Sequence, residues 1–429
     1  MAADSTADST AQPADQPTDG GTCLVLDAGG ARSAYQVGAL GVLLPALEAD
    51  GHRPTLLVGT SAGALLSAAL TSTAHLDAEE QGARLLEVLA QATKKQVMQP
   101  LWRQAPVVLA RYASETLGLT GFRLRGLFGT APLAATLGRA IDWDALHDNV
   151  DAGRVEALAL TATAVRTGRV TMFTEATGAY GDLPVPPAEH HRAYVRARTG
   201  VEHLMASAAI PALFPSVQVE EPAEAAGWYV DGATRRRVPL APAVELGADR
   251  VVVVGTGSIR PAQPDAERDQ QAVDLGDGGA TLLGAVMDDP LRHDLRRLAE
   301  TNVLVDDPDL APHLERHRRA RGRAPQRVLP YAAVAPEQGE ELAQVAMDVF
   351  RANHATVRRT IGDPDLQVVH RLLGSDSPLQ GELLSYLMFD PDFFDEAAAL
   401  GRRDAQRWLE TNGGLWRTGH LDPPSGVAG

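Results

Sequence analysis

The sequence predicts an α/β fold on a mainly parallel sheet, followed by a mostly helical C-terminal extension. Short apolar runs alternate with helical patterns from Thr22 onward. Two of these runs flank a single helix, a βαβ unit that requires parallel strands and a right-handed crossover. After Ile259 the texture changes, first to the polar stretch RPAQPDAERDQQ and then, from about 280, to helical periodicity.

In chain order, Thr22 to Leu26 reads as a strand, and Asp27-Ala28-Gly29-Gly30-Ala31-Arg32-Ser33 as a glycine-rich turn. The helix that follows sets Val37, Leu40, Leu44 and Leu47 on one face and bends at Pro45. Thr55 to Val58 is the next strand, and a small-residue helix runs from Ala62 to Ala69. Residues 75 to 150 read as mostly helical and polar-faced. VEALALTATAV and RVTMFTEA, joined by Arg166-Thr167-Gly168, read as a hairpin. GWYVDGA and RVVVVGTG are two more strands, separated by a helical segment from Val238 to Gly247. Leu342, Val345, Ala346, Val349 and Phe350 fall at helical spacing.

The bulk composition narrows the function. The chain has 429 residues, of which 45% are hydrophobic, enough for one large domain or a few smaller ones. Its apolar runs fall short of the ~18 residues a membrane span needs. The first twenty residues lack a basic start and an apolar core, and their Ala/Asp/Ser/Thr mix predicts a disordered tail and no signal peptide. One cysteine, Cys23, excludes an intrachain disulfide, and no Cys/His cluster has zinc spacing. A formal net charge of -16 argues against nucleic-acid binding. The six arginines from Arg316 to Arg327 read as a solvated face.

The chemistry concentrates at Gly59-Thr60-Ser61-Ala62-Gly63, a G-x-S-x-G match between a strand and a helix. A corner this tight strains the serine backbone and lifts its oxygen from the carboxyl end of the sheet. The bland alternative is a βα turn with Ser61 as helix cap. An acyl-transfer serine also needs preorganised donors for the developing oxyanion. The turn Gly29-Gly30-Ala31-Arg32 supplies them, since it too follows a strand and opens a helix. It is not a dinucleotide fingerprint, because the spacing departs from G-x-G-x-x-G and the next strand ends in Val58-Gly59.

For the base, no histidine after Ser61 stands where a strand delivers it into a turn; His190, His191 and His203 lie in helical or loop-like stretches. Asp231 does stand so, at the end of GWYV and before Gly-Ala. An Asp titrates near ~3.9 in water and partial burial raises that value. Asp277-Gly278-Gly279 has the same short form but lies in a polar stretch, and Asp27 reads as a residue that holds the glycine turn.

Four segments in this order resemble the patatin-like phospholipase family. They are LVLDAGGARSAYQVGAL, GTSAG, MASAAIPALFPSV (205–217) and YVDGA. The resemblance implies a three-layer α/β/α fold and a Ser-Asp dyad acting without histidine. It makes Ser61 the nucleophile, Asp231 its partner, and Gly29, Gly30, Ala31 and Arg32 the oxyanion segment, with Gly59 and Gly63 framing the elbow. It implies hydrolysis of lipid acyl esters of the phospholipase A or lysophospholipase type, with no metal or organic cofactor. It also implies a cytoplasmic protein that contacts membranes peripherally. Ala28 and Ser33 stand where the family has glycine, and a positive φ at either would cost about 1 kcal/mol.

The expected organisation is a tail over 1–20, a catalytic domain over 21–260 and a mostly helical region over 261–429. Residues 94–128 read as core helices, with a lid carrying Trp102 as the alternative. Two other functions stay open: an α/β-hydrolase esterase with a Ser-Asp-His triad, and a non-catalytic lipid-binding or scaffolding relative.

Overall fold

The structure, a computed structural model, describes residues 21–97, 128–211, 213–235, 239–259, 291–322, 325–337, 340–354 and 378–420. The 1–20 tail, Trp102 with most of the lid segment, the polar stretch after Ile259 and Asp277 lie outside these residues.

The chain opens β1 (Thr22–Leu26), α1 (Ser33–Ala49), β2 (Pro54–Thr60) and α2 (Ala62–Ser72), the expected βαβ unit with a second helix. Among the described residues four helices follow: α3 (Ala78–Gln91), α4 (Lys94–Val97), α5 (Ala131–Ala140) and α6 (Trp143–Asp151). The hairpin is β3 (Ala157–Ala164) and β4 (Val170–Ala176). Then come β5 (Arg192–Arg196), α7 (Val201–Ser207), β6 (Val217–Val219), β7 (Gly227–Asp231), α8 (Leu240–Glu245) and β8 (Arg250–Val254). The C-terminal part holds α9 (Leu291–Asp306), α10 (Ala311–Arg319), β9 (Tyr331–Val334), α11 (Glu341–His354), α12 (Pro378–Leu387) and α13 (Pro391–Asn412).

The main path of the sheet runs β5-β4-β3-β2-β1-β8-β9, and β1 pairs in parallel with both β2 and β8. Because side chains alternate along a strand, each central strand feeds two cores. Leu24, Leu26, Leu57 and Val252 enter the core beneath α1 and α2. Cys23, Val25, Leu56, Val58 and Val251 enter the other, with Leu240 of α8 and Leu291 and Leu295 of α9. Burial on both faces explains why these strands are unbroken apolar runs. Helices on both sides of a mainly parallel sheet give three layers.

One register positions the site. β2 runs parallel to β3 and ends with Thr60 opposite Thr161. β4 occupies the other side of β3 over the whole of 157–163. β7 pairs antiparallel with β3 at 162–164, Asp231 opposite Ala162, and therefore takes the side that β2 has just vacated. The two strands share one lane and approach each other end to end.

The C-terminal region is mostly helical, as expected, and it also adds the edge strand β9 beside β8. Its α13 lies against α1 almost backbone to backbone. A Cβ on Gly38 would fall 2.0 Å from Ala398 O, and one on Gly401 would fall 2.0 Å from Tyr35 O. Tyr35 Oη donates to Asp404 Oδ2 at 2.9 Å across this contact. The single apolar face expected for α1 is thus too narrow: Tyr35, Ala39 and Leu43 are buried as well, because α13 covers a second face. Within α10 the arginine run is solvated, since the helix buries none of its residues and Arg319 pairs with Glu315; further on, Arg327 pairs with Asp249. Among the described residues no helix is long and apolar enough to cross a membrane.

Gly401→Ala is expected to push α13 away from Tyr35 and to cost about 1–3 kcal/mol. A lower urea midpoint at unchanged slope checks this, and an unaltered midpoint contradicts the close contact.

Candidate active site

Ser61 sits where β2 turns into α2, with φ 55° and ψ -122°. Among the described residues only Ser61 and His191 combine a side chain with positive φ. Such a backbone costs on the order of 1–3 kcal/mol and persists only where its surroundings fix it. Two contacts do so. The Ser61 N–H donates to Ser207 Oγ at 2.9 Å, and Ser207 Oγ donates to Thr161 O at 2.7 Å. Below, the elbow glycines let backbone meet backbone: a Cβ on Gly63 would lie 2.4 Å from Leu26 O, and one on Gly59 2.4 Å from Gly63 O. Ser61 occupies the N-cap position of α2, but its side chain makes no cap hydrogen bond.

The glycine turn after β1 reaches the same sheet edge. Asp27, fully buried, holds it from behind. Its carboxylate accepts from the Thr256 amide at 3.0 Å and from Gln36 Nε2 at 2.8 Å. This is the turn-holding role expected for Asp27. Gly30 has φ 53°, and a Cβ there would fall 2.5 Å from Tyr386 O, so the position admits only glycine on both counts. Among the described residues the amides of Gly30 and Ala31 have no acceptor. The Ala62 amide, first in α2, also lacks an intrahelical partner. Neither Ala28 nor Ser33 has a positive φ, so their side chains do not strain the turn.

Arg32 is engaged by α12. Its amide donates to Gly29 O at 3.0 Å, and its guanidinium pairs with Glu382 on α12. Asp231 is buried at the end of β7. Its amide donates to Ala209 O at 2.9 Å, and its Oδ1 accepts from the Ala233 amide at 2.8 Å. Ser61 and Asp231 are thereby tied to one short segment, 207–209, from opposite ends of the lane beside β3.

The histidines weighed as a base, and His147, lie elsewhere. His203 is buried, and its Nδ1 accepts from the Gly200 amide at 3.1 Å while Nε2 faces Glu221 O at 3.1 Å. Burial lowers its pKa below the usual histidine value. His147 pairs with Glu175 at 2.6 Å, and His190 and His191 are exposed.

A cavity of about 100 Å³ opens in front of Ser61. Gly30, Ser33, Ser61 and Ala62 form its floor. Its walls are apolar: Leu65 and Leu66 of α2, Leu89 of α3, Leu133 and Leu137 of α5, and Phe214. Tyr386, Leu387 and Phe389 close the C-terminal side. Among the described residues no histidine belongs to this lining, and Asp231 lies outside it.

The family model described as patatin-like phospholipase matches residues 24–244. The chain belongs to the patatin-like phospholipase family. Its matched part is therefore a lipid acyl hydrolase domain, running from β1 through α8 and containing the glycine turn, Ser61 and Asp231. No curated protein matches the chain. Among solved structures it is similar to VipD from Legionella pneumophila, at 12% identity and a TM-score of 0.35, over 92% of this chain and 68% of that one. The strand β9 and the helices α9 to α13 lie beyond the family match.

Sequence reasoning missed Ser207, whose only trace is its place inside MASAAIPALFPSV. Ser207→Ala leaves the Ser61 amide buried without its acceptor, a loss of about 1–3 kcal/mol. The expected readout is a lower melting temperature with a slower reaction of Ser61 with a fluorophosphonate; an unchanged labelling rate opposes this role.

Proposed function

We propose that this chain hydrolyses carboxylic esters of lipids, as a phospholipase A or lysophospholipase, with Ser61 as nucleophile and Asp231 as its base. The observation that carries the reading is the strained Ser61 at the floor of an apolar cavity, next to amides with no acceptor and at the end of the lane that β7 enters with Asp231. An apolar cavity suits an acyl chain, because burying each methylene contributes about 0.8 kcal/mol. The acyl carbonyl then rests above Ser61 with its oxygen toward the Gly30 and Ala31 amides.

In the reaction Ser61 Oγ bonds to the carbonyl carbon while its proton passes to the Asp231 carboxylate. The carbonyl oxygen takes the negative charge and is held by the turn amides, each such donor being worth ~3–4 kcal/mol. Collapse breaks the ester bond, and the proton on Asp231 leaves with the alcohol or lysolipid. Water, deprotonated by Asp231, attacks the acyl-serine; collapse then breaks the bond to Ser61 Oγ, which takes the proton back from Asp231 as the fatty acid leaves. No histidine is needed at any step, and His203 is committed to the start of α7. The lipid substrate brings the protein to membrane surfaces peripherally.

A fluorophosphonate is expected to label Ser61. Ser61→Ala and Asp231→Asn are each expected to lower ester turnover by at least about 10³-fold in proteins that keep their melting temperature. Near-normal turnover in either folded variant rejects the assignment.

A further inference from the structure

Arg32 has a guanidinium that the reaction above does not use. It is the last residue of the glycine turn, and only 3% of its side chain is exposed. Every described contact of its guanidinium goes to α12. Nη2 donates to the Glu382 carboxylate and to Glu382 O at 3.1 Å, and Nε donates to Ser385 Oγ. The guanidinium also lies over the Tyr386 ring, 4.2 Å from its centroid.

An arginine cannot lose its charge, so a buried guanidinium must be paired. Among the described residues Glu382 is the carboxylate that pairs with it. The ion pair therefore fixes the distance between α12 and the turn. Packing fixes it again: Tyr386 O stands against Gly30 on one side of the turn, and Thr256 stands against Gly29 on the other. Both glycines of the turn are thus closely packed.

We propose that Glu382, acting through Arg32, is a positioning residue for the reaction. It sets where the Gly30 and Ala31 amides stand relative to Ser61. The proposal rests on the reading of Ser61 as an acyl-transfer nucleophile. It makes α12, which lies beyond the family match, part of the active site. A displacement of the donors near 1 Å costs about 10²-fold in rate, whereas the cavity that binds the acyl chain is built mainly by other elements.

The test measures kcat and KM of the full chain with a soluble p-nitrophenyl ester, together with the rate at which a fluorophosphonate labels Ser61. Glu382→Gln keeps the size and removes the charge. It is expected to lower kcat by about 10²-fold with KM little changed. Labelling should slow in parallel, because phosphonylation develops charge on an oxygen in the same place. Glu382→Asp, which keeps the charge, should restore part of both. A folded Glu382→Gln protein with normal kcat and labelling overturns the proposal, as does a variant that loses only thermal stability. If Glu382→Gln does not fold, Ser385→Ala serves, since it removes the Nε acceptor and keeps the ion pair. Its expected effect is a kcat lower by about tenfold, and a normal kcat there also overturns the proposal. Wild-type protein that neither turns over the ester nor labels would instead reject the nucleophile reading itself, a distinct result.

Discussion

On one side of β3 two strands run toward each other, and the candidate chemistry depends on that shared lane. β2 ends opposite Thr161 and β7 arrives opposite Ala162. Neither strand can extend by another residue without entering the space of the other. The chain must leave the sheet sharply at Ser61, at the cost of a positive φ. The 207–209 segment makes the arrangement rigid, because it accepts one amide hydrogen from Ser61 through Ser207 Oγ and one from Asp231 through Ala209 O. Backbone geometry thus brings the end of β2, just before Ser61, and the end of β7, at Asp231, to neighbouring positions along β3.

The other half of the site answers to a different constraint, the pairing of β1 with β2 on one side and β8 on the other. The strand order changes direction at β1, and such a switch point leaves a crevice at the carboxyl ends of the strands. Asp27 holds Thr256 and Gln36 behind the crevice, and the glycine turn lines the same cavity as Ser61. The buried carboxylate is satisfied by several donors, which is the condition for leaving a charge inside a protein.

Much of this was legible in the sequence because it is local. The limits of β1 follow from its unbroken apolar run, and the hairpin of β3 and β4 from two strand-like runs joined by one Arg-Thr-Gly turn. Gly59, Ser61 and Gly63 advertise a corner, and Asp231 stands out as an acid that follows an apolar strand. What was not legible is the partner at long range. Arg32 looks like a donor for the oxyanion, yet its partner Glu382 is 350 residues away and no pattern links them. Val217–Val219 and Tyr331–Val334 are too short for periodicity to mark, and they become strands because an open sheet edge lies beside them. The second buried face of α1 was hidden for the same reason: its cover, α13, comes 340 residues later in sequence terms and signals only its own amphipathic stripe. Ser207 is one small polar residue in an alanine-rich run, and only its neighbours in space reveal what it does.

The contact between α1 and α13 also sets a limit on how this protein can be divided. Helix α1 starts at the glycine turn and is covered by α13 along Tyr35, Ala39 and Gly38. A fragment cut after the family-matched part, at residue 244, would uncover that stripe, together with the β1 edge that β8 protects. Bare apolar surface beside an unpaired strand is the recipe for self-association. The smallest soluble unit of this chain therefore has to include its last long helix, even though the residues of the proposed chemistry all come earlier.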